Sequence, residues 1–196
     1  IREGKKREEF GAEKTTAMEV TPKEVKKPLR ELSDSTILKV KELLKEGYVS
    51  EHRQNICLYL SGWCAKAGIN PVSVAKVIRM LHSETGDEDR LEERLSTIPY
   101  SYRKAGLWDD SLKAQFEALA TEWGLEVRKL YLKQEEGLAE VRGKSGLQEE
   151  LEGVVGEERA LEIIRELEEI LGVSSPFRDS VIEILDYEKQ LYAVCN

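Results

Sequence analysis

The sequence is poor in the residues that fix covalent or catalytic chemistry. Two histidines and three cysteines occur in 196 residues. His52 and His82 stand far apart and share no metal or proton-shuttle motif. Cys57 and Cys64 are spaced on one expected helix by roughly 10 Å along its axis. That is too far for a disulfide and too far to share one metal at ~2.3 Å. Cys195 stands alone, so cysteine usage fits a reducing, cytoplasmic setting. No apolar run approaches the ~20 residues of a membrane span, and no signal peptide opens the chain. Gly-rich phosphate loops, His-Glu-x-x-His and Gly-x-Ser-x-Gly are all missing. Leu60-Ser61-Gly62 falls in the middle of an expected helix, so Ser61 is not a nucleophile on a strained turn. This stretch of chain is therefore expected to be non-catalytic, with no metal or cofactor needed for folding. Because it starts at Ile1 rather than Met, it reads as a piece of a longer protein. Asn and Gln are scarce, with three and five copies beside abundant Glu and Lys. That balance leans toward a thermophile source.

What is present is charge, unevenly distributed. Apolar residues make up 40% and charged residues 35%, with a net charge of −8. Residues 1–104 hold 20 Lys and Arg against 17 Asp and Glu, for +3, whereas residues 105–196 hold 10 against 21, for −11. Polyanion binding, if any, belongs to the first half; the second half repels phosphates beyond the ~8 Å range of salt screening.

Apolar spacing predicts helices and no strands. Residues 1–32 read as a linker or arm, Lys and Arg alternating with Glu, with one short helix after Thr21-Pro22. A helix over 33–46 carries Ile37, Val40, Leu43 and Leu44 and ends at Gly47. A second, 50–67, opens on Ser50 and repeats Ile56, Leu60, Trp63 and Cys64 at helical spacing. Asn70 caps a third over 71–83, with Pro71 in its first turn. Asp87 caps a fourth over 88–97, and Glu88, Asp89, Glu92 and Glu93 suit its dipole. Pro99 is expected to break or kink the path. A longer helix over 109–133 bends or splits at Gly124, five glycines loosen the stretch after it, and 157–171 is strongly helical. Ser174-Ser175-Pro176 opens a last helix. The fold class is thus all-α: a bundle of four to five helices over 33–107, then an acidic helical extension over 108–196.

Cations and aromatics cluster in the bundle half. His52, Arg53 and Gln54 lie on the first turn of the second helix. Arg79 and His82 lie near the end of the third, and Arg90, Arg94, Tyr100, Tyr102, Arg103 and Lys104 follow along the fourth and its exit. Guanidinium forks and helix N-termini suit phosphates, and aromatic faces suit unpaired bases at ~1–3 kcal/mol each. Arg53 stands out because a cation at a helix N-terminus is locally unfavourable unless an anion offsets it. The alternative for Arg90 and Arg94 is surface pairing with Asp89 and Glu93. For Tyr100 and Tyr102 it is the edge of the core, and for Trp63, Trp108 and Trp123 it is packing.

The string from His52-Arg53-Gln54 through Leu60-Ser61-Gly62, with Gly68-Ile69, Thr85-Gly86-Asp87, Arg94 and Tyr102-x-x-Ala105-Gly106, resembles the helix-bundle domain of archaeal plasmid primase-polymerases. The resemblance covers residues 33–107. It implies a DNA-replication role in which the domain follows a catalytic primase-polymerase domain and precedes a helicase region. There it binds single-stranded DNA template and nucleotide to help make the first dinucleotide. The catalytic carboxylates of that family lie upstream of Ile1, so no catalytic residue carries over and nucleotidyl transfer belongs to the parent protein. The implied ligands are template and ATP or a dNTP with magnesium. Expected contacts are His52, Arg53, Gln54, Arg79, Arg94, Arg103 and Lys104 for phosphates and nucleotide, and Tyr100 and Tyr102 for bases. Two rival readings stand beside it. Ala65 to Val74 resembles the turn of a duplex-binding helix-turn-helix, and the acidic helices after 157 suit a scaffold for a basic partner or a second copy.

Overall fold

The computed structural model describes residues 28–87, 91–131 and 142–172. Ser33 accepts a hydrogen bond from the Thr36 N–H and caps α1, Asp34–Lys45. The chain turns at Gly47, and the carbonyl of Val49 accepts from the N–H groups of His52 and Arg53. This turn opens α2, Arg53–Lys66, so His52 and not Ser50 stands at the N-cap, without a side-chain cap bond. Every residue of α2 from Ile56 to Ala65 is buried. A helix without a wet face belongs at the centre of its domain, and α2 packs against α3, α4, α5 and α7. Asn70 caps α3, Pro71–Glu84, by accepting from the Val72 N–H, as its sequence predicts.

Past Asp87 the expected single helix is two pieces, α4, Leu91–Leu95, and α5, Thr97–Lys104. Pro99 does not break the path. It sits in the first turn of α5, where a missing N–H costs nothing because no carbonyl waits for it. Asp109 caps α6, Asp110–Glu122, through the Leu112 N–H. The long helix expected to 133 stops here. Trp123 caps it and Gly124 takes φ +72°, a region that suits glycine. A 3₁₀ turn, Val127–Leu130, follows.

Residues 144–171 give the clearest departure from the sequence reading. The glycine-loosened stretch contains α7, Lys144–Val155, followed directly by α8, Glu157–Leu171. Gly143 and Gly156 lie at its ends with positive φ. Gly146 lies inside it, where a Cβ would come within 2.8 Å of the Tyr59 ring. The glycine is needed there for close approach of α7 to α2. Among the described residues there is no β-strand; an isolated parallel bridge joins Arg30 to Ile69.

Residues of the acidic half share the core of the bundle. Leu147, Leu151, Ile163, Ile164 and Leu167 belong to the same hydrophobic cluster as Ile37, Ile56, Leu60 and Ile78. Each fully buried Leu or Ile contributes ~1.5–3 kcal/mol. Polar ties reinforce the join. Arg30 donates to the carbonyls of Ile170 and Leu171 at the end of α8, at 3.2 and 2.7 Å. Arg159 reaches Glu46, at 3.1 and 2.9 Å, and Lys144 pairs with Glu168. Residues 1–27 of the arm expected over 1–32, the residues Glu88, Asp89 and Arg90, and the last helix after Ser174 lie outside the described residues, whereas Arg30 and Leu32 of that arm join the bundle.

Gly47 reports on this packing. A Cβ there would sit 2.3 Å from Leu151 Cδ2 of α7. Gly47→Ala is expected to destabilise the chain by ~1–3 kcal/mol through overpacking, read as a lower midpoint in urea unfolding. An unchanged midpoint would show that α7 does not press on the α1–α2 turn.

Candidate functional site

The Thr85-Gly86-Asp87 turn and the first turn of α2 meet around one carboxylate. Thr85 ends α3, and its N–H and hydroxyl both turn back to the Leu81 carbonyl. Gly86 takes φ +62° and swings Asp87 inward. The Asp87 side chain is 0% exposed. A carboxylate at that depth needs strong donors, and three converge on it. Tyr48 donates to Oδ2 at 2.9 Å. Arg94 of α4 donates through Nε at 2.9 Å and through a terminal nitrogen to Oδ1 at 3.3 Å. Arg53 of α2 donates to Oδ1 at 3.2 Å. The forks go further: Arg53 donates to the Thr85 carbonyl at 3.2 Å, and Arg94 to Gln54 Oε1 at 2.9 Å. The Arg53 guanidinium also lies over the Tyr48 ring, 5.6 Å from its centroid.

Burial governs the titration of this cluster. It raises the Tyr48 phenol far above its ordinary range, and Cys57 and Asp87 beside it push the same way. For Arg94 burial opposes the charge, yet the Asp87 hydrogen bond and charge outweigh it and hold its pKa above the usual arginine value. Cys57 lies 3.8 Å from the Tyr48 hydroxyl. Burial pushes its thiol, and that of Cys64, up to about 12.

These placements correct several expected contacts. An anion does offset the unfavourable place of Arg53 at a helix N-terminus, but that anion is Asp87 of the same chain. Arg94 is 4% exposed and pairs with the buried Asp87. Gln54 is spent on Arg94. Tyr102 was expected to stack a base; it is 0% exposed and donates to the Ile69 carbonyl at 2.6 Å. Its ring meets Trp108 edge-on, and Trp108 meets Phe116 in the same way. The placement of Tyr102 is set by the apolar surface between α2, α3 and α6, which no local spacing announces. His52 turns to α7, where its Nδ1 lies 2.6 Å from Glu150.

Arg79, Arg103 and Lys104 are exposed. Each lies over an aromatic ring: Arg79 over Trp123 at 4.3 Å, Arg103 over Tyr131 at 5.3 Å, and Lys104 over the half-buried Tyr100 at 5.6 Å. Burial, with Glu117 beside it, raises the Tyr131 phenol. Trp123 and Tyr131 flank the 3₁₀ turn, and sequence reasoning missed both as site residues. Trp123 fits the apolar stripe of α6, and Tyr131 belongs to no motif. Among the described residues no group of three or more His, Cys, Asp or Glu could hold a metal. No helix among them is long and apolar enough to cross a membrane.

Two outcomes test this arrangement. Asp87→Ala would leave Arg53 and Arg94 buried without their counter-charge and is expected to cost ~3–5 kcal/mol, read by chemical denaturation. A cost within ~0.5 kcal/mol, as for an ordinary surface site, would remove Asp87 from the centre of the network. With a pKa near about 12, Cys57 and Cys64 hold almost no thiolate at pH 8. Iodoacetamide is then expected to leave both unlabelled in the native state at pH 8 and to label them once denaturant removes the burial, followed by peptide mass spectrometry. Prompt native-state labelling at pH 8 would contradict the burial. Compared with known protein families, curated proteins and solved structures, the chain gives no match to any of the three.

Proposed function

We propose that this chain is a non-catalytic helical domain of a replication primase-polymerase that binds single-stranded DNA template and nucleotide in support of primer initiation. One observation carries the reading onto a surface: exposed Arg79 and Arg103 each lie over an aromatic ring contributed by the segment from Trp123 to Tyr131. A guanidinium beside an aromatic ring combines a charge that suits phosphate with a face that suits a base. Lys104 over Tyr100 repeats the pairing one residue further along α5. Residues 1–104 carry a net charge of +3, the sign that favours an anionic partner.

The residues that carry the family resemblance take a supporting part in this reading. Arg53, Gln54, Thr85, Asp87 and Arg94 join α2, α3 and α4 and hold the bundle on which the outer cations ride. Nucleotide, with magnesium arriving bound to it, remains part of the proposal, as do an upstream catalytic domain and a downstream helicase region. The helix-turn-helix alternative finds less support. Arg30 pairs with the α2–α3 turn at Gly68 and Asn70, and α3 is packed by α1 on one flank and α6 on another.

A scaffold reading has one observation in its favour. A groove of about 470 Å³ runs between α1 and α8, with Leu38, Leu43 and Ile170 in it and three acids, Glu42, Glu166 and Glu169, against one cation, Lys39, around it. Leu38 is 45% exposed. That chemistry suits a basic amphipathic segment.

Fluorescence anisotropy with a labelled single-stranded oligonucleotide separates these readings. Arg79→Ala and Arg103→Ala are each expected to weaken binding by roughly five- to tenfold and to flatten its salt dependence. Leu38→Asp is expected to leave it unchanged. Wild-type affinity in the Arg79→Ala, Arg103→Ala double variant would sink the surface assignment.

A further inference from the structure

Leu38 is exposed on α1, although Ile37, Val40, Leu43 and Leu44 of the same helix are buried. It lines the groove between α1 and α8 together with Leu43 and Ile170. The charges around it indicate what would complete that apolar wall. Among the described residues Lys39 is the one cation in the lining, against Glu42, Glu166 and Glu169. Glu42 is engaged by Lys41, and Glu168 by Lys144. Glu166 and Glu169 are exposed on the α8 wall and enter no ion pair among the described residues. The groove therefore suits a segment that is apolar in part and cationic toward α8.

The described chain begins beside this groove. Arg30 donates to the carbonyls of Ile170 and Leu171 at the end of α8. Near the start of α8, Arg159 meets Glu46 just past the end of α1. The two helices thus run antiparallel, and Arg30 meets the groove at its Ile170 end. The eight residues before Pro28, from Val20 to Lys27, hold Lys23, Lys26 and Lys27 against Glu24, with Val20 and Val25 among them. Extended, eight residues reach about 26–29 Å, whereas Leu38 and Leu43 stand only about 7–8 Å apart along α1. We propose that the segment from Val20 to Lys27 of the same chain occupies the groove, its valines covering Leu38 and Ile170 and its lysines facing Glu166 and Glu169. Tethering favours it over a separate basic segment, because the seat is met at high effective concentration. Residues 173–196 follow the same end of α8, but they carry two Lys and Arg against four Asp and Glu, the sign of the groove itself. The inference rests on the reading of this groove as a seat for a basic amphipathic segment, and it stands without the Arg79 and Arg103 surface. A seated segment fixes on the α1–α8 face the point from which any chain before Val20 departs.

The test is disulfide trapping in the full chain carrying Cys195→Ser, Val25→Cys and Leu38→Cys, in a glutathione redox buffer, read by peptide mass spectrometry. A bond within one chain between positions 25 and 38 is expected. Adding Glu166→Lys with Glu169→Lys is expected to slow its formation roughly fivefold, and high salt is expected to slow it in the same direction. A rate untouched by the charge reversal would show chance encounter and overturn the proposal. So would a bond between two chains, which seats a second copy. So would a bond from Leu38→Cys to Cys195 when Cys195 is kept, which seats the C-terminal segment. The Leu38 methyl resonances of the wild-type chain separate this failure from that of the groove reading, on adding a synthetic peptide of residues 20–27. With the internal segment seated they are expected to stay fixed. If no internal bond forms and they move, the groove still takes a basic segment and only the internal occupant is lost. If no bond forms and they stay fixed, both readings fall.

Discussion

A buried carboxylate with three donors is the interaction on which the rest of this bundle is arranged. Asp87 is drawn inward by the turn after α3, and it meets Tyr48 from the α1–α2 turn, Arg53 from α2 and Arg94 from α4. Burial of a charge is unfavourable alone, so each partner must stay where it is for the others to be tolerated. Four segments are thereby locked at one corner. Removing Asp87 leaves two guanidinium groups without their counter-charge, which is why the geometry is a constraint and not merely a set of attractions. The hydrophobic cluster supplies most of the driving force; Asp87 decides which way the ends of α2, α3 and α4 face.

The acidic half joins that architecture. In sequence it reads as an acidic helical extension of the bundle, with a net charge of −11 over residues 105–196. Instead α7 and α8 insert Leu147, Leu151, Ile163 and Leu167 into the common core. Their charges face outward or pair across the join, as Glu150 does with His52, Glu168 with Lys144, and Glu46 with Arg159. The charge asymmetry is thus partly consumed in holding the halves together, while Arg79 on α3 and Arg103 and Lys104 on α5 are among the cations that face solvent.

Much of the helix layout was legible because its signals are local. Ser33, Asn70 and Asp109 cap where side-chain oxygens reach nearby N–H groups, and periodic apolar residues mark α1, α3 and α8. The misreadings also have local causes. Pro99 looks like a breaker until its position in the first turn of α5 is known. Gly143, Gly146, Gly153 and Gly156 look like a loop, although the middle two sit inside α7, where Gly146 gives the Tyr59 ring room. The site was far less legible. Arg53 and Arg94 look like surface cations in sequence because their partner, Asp87, becomes a neighbour only when α3 ends in a tight turn. Tyr102 looks like a ring beside two cations, yet helix geometry points it inward while Arg103 and Lys104 point out.

By itself the sequence determined the all-α class and most helix starts, since these follow from spacing and composition along the chain. Tertiary structure alone decided which cations face inward and which face solvent. It also decided that α7 closes over α2, and that Trp123 and Tyr131 come to lie under Arg79 and Arg103. The physical reason is that a charged side chain takes its role from the dielectric and the partners around it. Those partners come from elements distant in sequence, brought together by burial of an apolar core that has no local signature.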